Sequence, residues 1–329
     1  MSALLEVEGL VKRYRVARGR FVQAVSDVSF AIEAGEVLAL VGESGCGKST
    51  IGRCLVQLER RDAGTIRFDG MRIDTLSPRA FRPLRRRIQM VFQDPYGSLN
   101  PRLRVEQIIA EPLVHLGWAG DQRAVRARVF ELLDLVHLPR TAAERRPHEF
   151  SGGQRQRIGI ARALAARPDL LVCDEAVSAL DVSVKAQIVN LLADLRAELG
   201  LAMLFISHDL AIVEQLADRV AVMYLGKLVE IGDTAQILRN PRHPYTRGLI
   251  AAVPRIDGVP PQDALLAGEP PDPAAPPAGC RFHGRCPRAL PLCTAEEPPL
   301  VPAGAGRKAA CHYLEPAQQG PRIPVSELS

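Results

Sequence analysis

The sequence lacks any apolar run long enough to span a membrane. Its longest apolar stretches, such as residues 201–206, have the length of a strand, whereas a membrane helix needs roughly 18 apolar residues. The opening, residues 1–14, also lacks the basic region and the apolar region of a secretory signal peptide. At 329 residues the chain can bury a sizeable core, in one large domain or two smaller ones. We therefore expect a cytoplasmic protein.

Aromatic residues and net charge are also scarce. Aromatics make up 5% of the chain and the formal net charge is +5, so the composition points neither to nucleic acid nor to an acidic membrane surface. A basic run, Arg85-Arg86-Arg87, has no aromatic residues interleaved with it. So short a run is typical of a solvated face, and we expect no nucleic-acid partner.

A glycine-rich stretch at residues 42–50 fits the phosphate-loop pattern G-x-x-x-x-G-K-[ST] without a mismatch. In such a loop the backbone N–H groups and the positive end of the following helix surround a triphosphate. Lys48 would reach the β- and γ-phosphates, and the Ser49 hydroxyl would bind Mg²⁺. The apolar residues 36–41 precede the loop as a buried parallel strand should; a glycine-rich turn without a ligand is the alternative. The stretch reads Gly42-Glu43-Ser44-Gly45-Cys46-Gly47-Lys48-Ser49-Thr50.

Three other apolar runs of strand length end in side chains that can serve a bound nucleotide. They lead to Gln93, to Asp174 with Glu175, and to His208. Ligands of α/β proteins collect at the carboxyl ends of parallel strands. Beside a phosphate loop, two carboxylates supply a Mg²⁺ ligand and a base that activates water. Taken singly, Gln93 indicates little, and a lone histidine such as His208 is usually structural.

The region before the phosphate loop is typical of β structure. Residues 4–32 predict short strands separated at Gly9 and Gly19. Tyr14 follows the first strand, where its ring can stack on a purine; a tyrosine at a strand edge is the alternative.

A region of helical character, residues 94–147, lies between the run that leads to Gln93 and the run that leads to Asp174. Its amphipathic pattern at residues 123–136 predicts a helix of an inserted subdomain. Residues 151–154 open the next helix, and this N-terminus is either an anion-binding end or an ordinary cap. Residues 178–181 lead into a further helix. These two segments read Ser151-Gly152-Gly153-Gln154 and Ser178-Ala179-Leu180-Asp181.

In their order along the chain, these motifs resemble those of the ATP-binding cassette (ABC) family over about residues 4–233. Tyr14 matches the adenine-stacking aromatic of the family less tightly than the other motifs match theirs. The matching motifs are Walker A (42–49), the Q-loop (Gln93), the signature (151–154), Walker B with the catalytic acid (170–175), the D-loop (178–181) and the switch histidine (His208).

The resemblance implies an α/β fold, the P-loop NTPase cassette, with a mixed sheet core and an N-terminal antiparallel β subdomain. A helical signature subdomain would be inserted at about residues 94–157. The implied catalytic residues are Glu175, His208, Lys48 and Gln93, with Mg²⁺ on Ser49, Gln93 and Asp174. The implied ATP-binding residues are Tyr14, Gly42, Ser44, Gly45, Cys46, Gly47, Lys48, Ser49, Thr50, Gln93, Asp174, Ser151, Gly152, Gly153, Gln154 and Asp181.

Further segments look like the oligopeptide/dipeptide importer subfamily, and within it the second, F-type ATPase subunit. Phe150 and Ala176 depart from the Leu and Pro of the wider family, but neither change removes a functional group.

The implied domains are a cassette at residues 1–235, an extension with a proline-rich linker at 236–279, and a small cysteine-containing extension at 280–329. The segments are Gln93-Asp94-Pro95, Ser98-Leu99-Asn100-Pro101-Arg102, residues 173–183, His243-Pro244-Tyr245-Thr246 and the cysteines of the tail.

In this family two cassettes pair head to tail, so ATP on Lys48 of one would be closed over by Ser151 and Gly153 of the other. The implied partners are a second cassette, with a heterodimer favoured, two transmembrane permeases and an extracytoplasmic peptide-binding protein. The chain would lie on the cytoplasmic face of the inner membrane. An importer of nickel chelates or glycans is one alternative. A soluble cassette ATPase acting on nucleic acid is another, although the chain lacks the sustained heptads of a coiled-coil insertion.

Four cysteines crowd the end of the chain, with the spacing Cys280-x₅-Cys286-x₆-Cys293-x₁₇-Cys311. This spacing does not match the paired ligands of zinc fingers, and a reducing compartment disfavours disulfides. The tail that this segment resembles is thought to hold a [4Fe–4S] cluster. Zinc and free structural thiols remain the alternatives. The expected cofactors are thus ATP, Mg²⁺ and this cluster.

Overall fold

The computed structural model describes residues 3–17, 19–116, 121–252, 268–304 and 306–314. The middle of the expected proline-rich linker, residues 253–267, and the end of the cysteine-containing extension, residues 315–329, lie outside these ranges. Within them, none of the helices combines the length and the hydropathy needed to cross a bilayer.

The strands in these ranges are β1 (Leu5–Ala17), β2 (Arg20–Ile32), β3 (Val37–Val41), β4 (Ala63–Phe68), β5 (Met71–Arg72), β6 (Ile88–Val91), β7 (Leu170–Asp174), β8 (Ala202–Ser207), β9 (Arg219–Tyr224), β10 (Lys227–Asp233), β11 (Val301–Pro302) and β12 (Lys308–Ala309). The helices are α1 (Lys48–Leu55), α2 (Pro78–Phe81), α3 (Val105–His115), α4 (Gln122–Leu135), α5 (Gly152–Leu164), α6 (Val182–Leu199), α7 (Leu210–Leu216), α8 (Thr234–Arg239), α9 (Pro244–Ala251) and α10 (Pro291–Ala295).

The main sheet has the strand order β11-β12-β10-β9-β3-β8-β7-β6. Strands β6, β7, β8, β3 and β9 run parallel, whereas β10, β12 and β11 are added antiparallel. Every residue of β3, β7 and β8 is buried, as expected for parallel strands that are covered on both faces. The parallel strands bring their carboxyl ends, and the polar residues that follow them, to one edge of the sheet.

The main sheet lies between two hydrophobic cores. Val37 and Val41 of β3 pack into the core that contains the helices α3 to α7. Leu38 and Leu40 point the other way, into a core shared with α1 and a second sheet of order β2-β1-β4-β5. This alternation is the period of two of a strand that is buried on both faces.

The second sheet differs from the sequence expectation at Gly9. We expected Gly9 to separate short strands, but β1 continues through it and pairs with β2 and β4 on both sides. The pairing register shifts between Val7 and Leu10, and Gly9 has φ 58°. Glycine accommodates this conformation at a β-bulge, so the residue bends the strand instead of ending it.

The amphipathic pattern expected at residues 123–136 is confirmed by α4. Its side chains Val129, Leu132 and Leu133 are buried, as is Val136 at the C-cap. They face α3 and α5 in the larger core. These three helices lie between β6 and β7 in the chain and carry residues 151–154 at the start of α5.

The C-terminal part of the chain, residues 268–304 and 306–314, is called the tail below. It packs directly on the cassette. Strand β12 pairs antiparallel with β10, with Ala309 opposite Glu230. Phe282 is only 2% exposed and belongs to the larger core. The tail therefore completes both the main sheet and its core.

Candidate active site

The phosphate loop, residues 42–50, connects β3 to α1 and packs tightly against its surroundings. Gly47 has φ 107°, and a Cβ at this position would lie 1.9 Å from the Ala24 carbonyl oxygen. Only glycine therefore fits. The carbonyl of Cys46 accepts a hydrogen bond (2.9 Å) from the N–H of Gly226, in the turn between β9 and β10. The loop is thus fixed by β2 on one side and by this hairpin on the other.

Lys48 lies at the first position of α1 and its side chain reaches across the loop. It is only 4% exposed, and its Nζ donates to the carbonyls of Gly42 (2.8 Å) and Glu43 (2.9 Å). A positive charge held beside a helix N-terminus attracts an anion. This geometry suits the expected contact of Lys48 with a triphosphate.

Ser49 and Asp174 form the pair on which Mg²⁺ is expected. The Ser49 hydroxyl donates to Asp174 Oδ1 at 2.6 Å. Burial raises the pKa of Asp174, and the hydrogen bond from Ser49 opposes this effect. A divalent cation would favour the charged carboxylate, and hydroxyl and carboxylate oxygens are the ligands that Mg²⁺ takes in proteins. The donor set therefore fits this ion.

Glu175 lies at the centre of the strand ends, where it meets two other expected catalytic residues. Gln93 Nε2 donates to its Oε2 at 2.8 Å, and His208 Nδ1 lies 3.7 Å from its Oε1. Its backbone has φ 45°, in the left-handed region, and its N–H donates to the Ile206 carbonyl at 3.0 Å. Such backbone strain clusters at functional sites. The three side chains follow β6, β7 and β8 and converge as we expected.

The signature, residues 151–154, lies against the D-loop. Ser151 caps α5, and its side chain and that of Gln154 form a reciprocal capping box. A Cβ on Gly153 would lie 2.3 Å from Cγ1 of Val184, at the start of α6. Asp181 caps α6 by accepting from the Val184 N–H. Among the residues that the structure describes, no hydrogen bond or ion pair joins the signature to the phosphate loop of the same chain.

Tyr14, expected to stack on adenine, was wrongly placed after the first strand: it lies within β1, which continues through Gly9 to Ala17. Burial raises the pKa of its hydroxyl, and the nearby Thr50 side chain opposes this effect. Lys12 Nζ lies 5.1 Å from the ring centroid. The tyrosine is thus placed beside the loop, while its contact with a base stays a prediction.

Two residues that the sequence analysis did not single out as site residues also contact the phosphate loop. The hydroxyl of Tyr245 accepts from the Glu43 N–H, and Arg285 of the tail binds the Glu43 carboxylate. Tyr245 carried a signal, because it belongs to the segment 243–246 that marks the subfamily resemblance. Arg285 had none, since it is distant from the loop in the sequence.

The four cysteines of the tail lie near one another. Burial, together with the smaller effect of the thiols of Cys293, Cys286 and Cys311, raises the pKa of Cys280 to about 11, while the Phe282 amide opposes this shift. All four are free thiols. Over the described ranges, no group of three or more His, Cys, Asp or Glu side chains is close enough to hold a single metal ion. The described residues therefore show neither a zinc site nor an iron–sulfur site, and the cluster stays a prediction.

Each of the four sulfurs is also approached by a backbone amide. Such N–H groups stabilise thiolates, and hydrogen bonds to sulfur are one of the ways in which proteins tune iron–sulfur clusters. The amides are those of Phe282 at Cys280, Arg288 at Cys286, Leu290 at Cys293 (3.5 Å) and Tyr313 at Cys311 (3.4 Å).

Comparison with known protein families gives two matches along the chain. The ABC transporter family matches residues 25–178. The family described as the oligopeptide/dipeptide transporter C-terminal region matches residues 229–293. The second match begins within β10 and includes the contact between the tail and the phosphate loop.

Curated relatives are similar over nearly the whole chain. A probable peptide ABC transporter ATP-binding protein of Sinorhizobium fredii is 52% identical, covering 96% of this chain and 91% of its own length. A putative peptide import ATP-binding protein of Brucella ovis is 49% identical, covering 94% of this chain and 98% of its own length. A putative oligopeptide transport ATP-binding protein of Bacillus subtilis is 46% identical, covering 97% of this chain and 98% of its own length.

Solved structures share the fold of the cassette. A dimeric ATP-binding cassette in a post-hydrolysis state, bound to ADP and Pi, has a TM-score of 0.65 and 28% identity, covering 70% of this chain and 98% of its own. CbiO1 of Clostridium perfringens, part of an ABC transporter complex, has a TM-score of 0.64 and 29% identity. The match covers 73% of this chain and 92% of CbiO1. The expected α/β cassette fold is confirmed. The chain belongs to the ATP-binding cassette family, among the ATP-hydrolysing subunits that carry the oligopeptide/dipeptide transporter C-terminal region.

Proposed function

We propose that this chain is the ATPase subunit that powers the import of oligopeptides or dipeptides across the cytoplasmic membrane. One observation carries the proposal. A complete set of nucleotide-site side chains is joined to a tail of the oligopeptide/dipeptide type, in a chain about half identical to peptide import ATP-binding proteins. Neither nickel chelates nor glycans are named in these relatives.

In the proposed hydrolysis, the residues at the strand ends act on the attacking water and on the charge of the phosphoryl group. Glu175 accepts the hydrogen bond of the water and polarises it, while Gln93 holds the carboxylate in place. His208 and Lys48 stabilise the charge that develops on the transferred group. Mg²⁺, when bound by Ser49, Asp174 and Gln93, would supply further positive charge to the phosphates.

The separation of the signature from the phosphate loop supports a composite site. Within the described residues Ser151 and Gly153 make no hydrogen bond to the loop of their own chain, and Gly153 lies close to Val184 of α6. In the proposed complex they close over the ATP of a second cassette. Two permeases and an extracytoplasmic binding protein complete the importer, and the chain is peripheral on the cytoplasmic face of the inner membrane.

Affinity purification of the tagged full chain from native membranes in mild detergent tests the proposed function. We expect two permeases, a second cassette and a peptide-binding protein, identified by mass spectrometry. Peptides should stimulate phosphate release when the complex is reconstituted in vesicles with its binding protein. Purification with soluble partners or nucleic acid only would leave the ATPase activity intact and contradict the transport role. Stimulation by nickel chelates or glycans, but not by peptides, would contradict the cargo.

The proposal includes a [4Fe–4S] cluster held by Cys280, Cys286, Cys293 and Cys311. The support is chemical: four cysteines near one another in the tail, with a backbone amide close to each sulfur. If such a cluster is bound, these four thiolates would hold it. The cluster would join segments on both sides of α10.

The metal content of the anaerobically purified complex tests this part. We expect iron and acid-labile sulfide in equal amounts, and their loss in the variant Cys293→Ser, because a serine oxygen is a poor ligand for this iron. The control is Cys54→Ser, a buried cysteine of α1 outside the tail, which should keep its iron. Zinc in place of iron, or equal iron in both variants, would contradict the cluster.

A further inference from the structure

Glu43 of the phosphate loop is held by two residues from the C-terminal part of the chain. The hydroxyl of Tyr245, in α9, accepts a hydrogen bond from the Glu43 N–H at 2.9 Å. Arg285, in the tail, donates from both terminal nitrogens to the carboxylate, at 2.7 and 2.9 Å. We call Tyr245 and Arg285 the Glu43 clamp. Tyr245 of α9 fixes the backbone of Glu43, and Arg285 of the tail fixes the Glu43 side chain.

The clamp is itself rigid because both of its residues are set in a cluster of aromatic rings. Tyr245 lies 4.6 Å from Tyr224 and 5.5 Å from Phe282, measured between ring centroids. The guanidinium of Arg285 lies 5.7 Å from the Tyr224 ring centroid, and its side chain is only 6% exposed. A bidentate pair between arginine and a carboxylate fixes geometry as well as charge. Glu43 is therefore held by groups that cannot readily move.

The residue that the clamp holds also supports the phosphate-binding lysine. The Glu43 carbonyl accepts a hydrogen bond from Lys48 Nζ at 2.9 Å. The Glu43 carboxylate, on the other side of the same residue, is a negative charge within a loop that receives a polyanion, and Arg285 compensates it. We propose that Tyr245 and Arg285 are positioning residues for ATP binding, which fix Glu43 and so hold the phosphate loop ready for the triphosphate.

The alternative is that the Arg285–Glu43 pair only attaches the tail to the cassette. Other contacts already do so without touching the loop. Lys227 of β10 forms an ion pair with Glu297 of the tail, and β12 pairs with β10. The tail is therefore attached elsewhere, while the clamp acts on the loop. A loop that is ordered before binding loses less entropy when ATP binds, so the clamp should act on affinity more than on chemistry.

Steady-state ATPase kinetics and nucleotide binding by the purified full-length protein test the clamp. For Arg285→Met we expect the KM and the Kd for ATP to rise about tenfold, with kcat changed less than twofold, because the loop loosens and the Glu43 charge is exposed to the phosphates. Arg285→Lys should recover part of the affinity, since lysine keeps the positive charge but cannot donate two parallel hydrogen bonds to the carboxylate. Tyr245→Phe, which removes only the hydroxyl, should raise KM about threefold. The control Glu297→Gln breaks an ion pair of the tail away from the loop and should leave KM unchanged.

The double variant Arg285→Met with Glu43→Gln separates positioning from the cost of leaving the partly exposed Glu43 carboxylate unpaired. It leaves no uncompensated carboxylate, so its melting temperature should return toward that of the wild type. We expect its KM to stay several-fold elevated, because the loop is still not clamped. A wild-type KM in the double variant would overturn the proposal, as would an unchanged KM in Arg285→Met or an equal rise in Glu297→Gln.

Discussion

The variant Glu175→Gln should hydrolyse ATP roughly 10²- to 10⁴-fold more slowly than the wild type, the range that a general base contributes. Glutamine has nearly the same size, and its side-chain oxygen can still accept from Gln93 Nε2, which lies 2.8 Å from Glu175 Oε2. What it loses is the charge that polarises the attacking water. ATP binding and cassette closure need no such charge and should persist. Phosphate release, nucleotide binding and sedimentation measure the three properties separately.

Glu198→Gln is the matched control for this variant, because the same change is made at an exposed position near the end of α6. Its kcat should equal that of the wild type. A loss in Glu175→Gln that appears in KM with kcat unchanged would place Glu175 in binding instead of chemistry. Turnover by Glu175→Gln at the full rate would remove the residue from the mechanism.

Truncating the lysine of the phosphate loop, Lys48→Ala, should weaken ATP binding at least about 30-fold. Removing one partner of a buried charge pair costs about 2–5 kcal/mol, and each 1.4 kcal/mol is a factor of ten in Kd. Lys48 is 4% exposed, and its ammonium lies within hydrogen-bond distance of two loop carbonyls. The loss should therefore appear in Kd, measured by calorimetry, before any effect on the chemical step.

Lys48→Met distinguishes charge from packing, because methionine refills most of the space of the lysine stem. If charge holds the triphosphate, Lys48→Met binds ATP as weakly as Lys48→Ala, while its melting temperature stays nearer to the wild type. Recovery of affinity in Lys48→Met would mean that the side chain only shapes the loop. Lys308→Ala, at an exposed position of β12, should bind ATP normally.

The residues that the sequence predicted best are those whose role follows from a short contiguous pattern. The phosphate loop follows directly after β3 and runs into the first turn of α1, as its glycines and the apolar run before it indicate. Gln93, Glu175 and His208 were expected together because they follow parallel strands, and the parallel sheet brings them to one edge.

Contacts between distant segments could not be predicted in this way. The pair of Arg285 and Glu43 depends on how the tail lies on the cassette, and no local pattern at either residue encodes it. Strand β12 has two residues, Lys308 and Ala309, too few for any periodicity. Gly153 was expected as part of an anion-binding end, but its close approach to Val184 depends on the packing of α5 against α6. These three contacts depend on how segments distant in the sequence come together in the fold.

The pairing of β12 with β10 also bears on how the chain is made in the cell. During synthesis β10 emerges from the ribosome long before β12, so the main sheet forms with this edge open. The unpaired N–H and C=O groups of β10 are then a template for strands of other molecules. A nascent chain that stalls in the linker, or a product clipped there, keeps that edge exposed. Strand β12 covers this edge at Glu230 and Ile231, so that cover exists only in chains whose translation has reached β12.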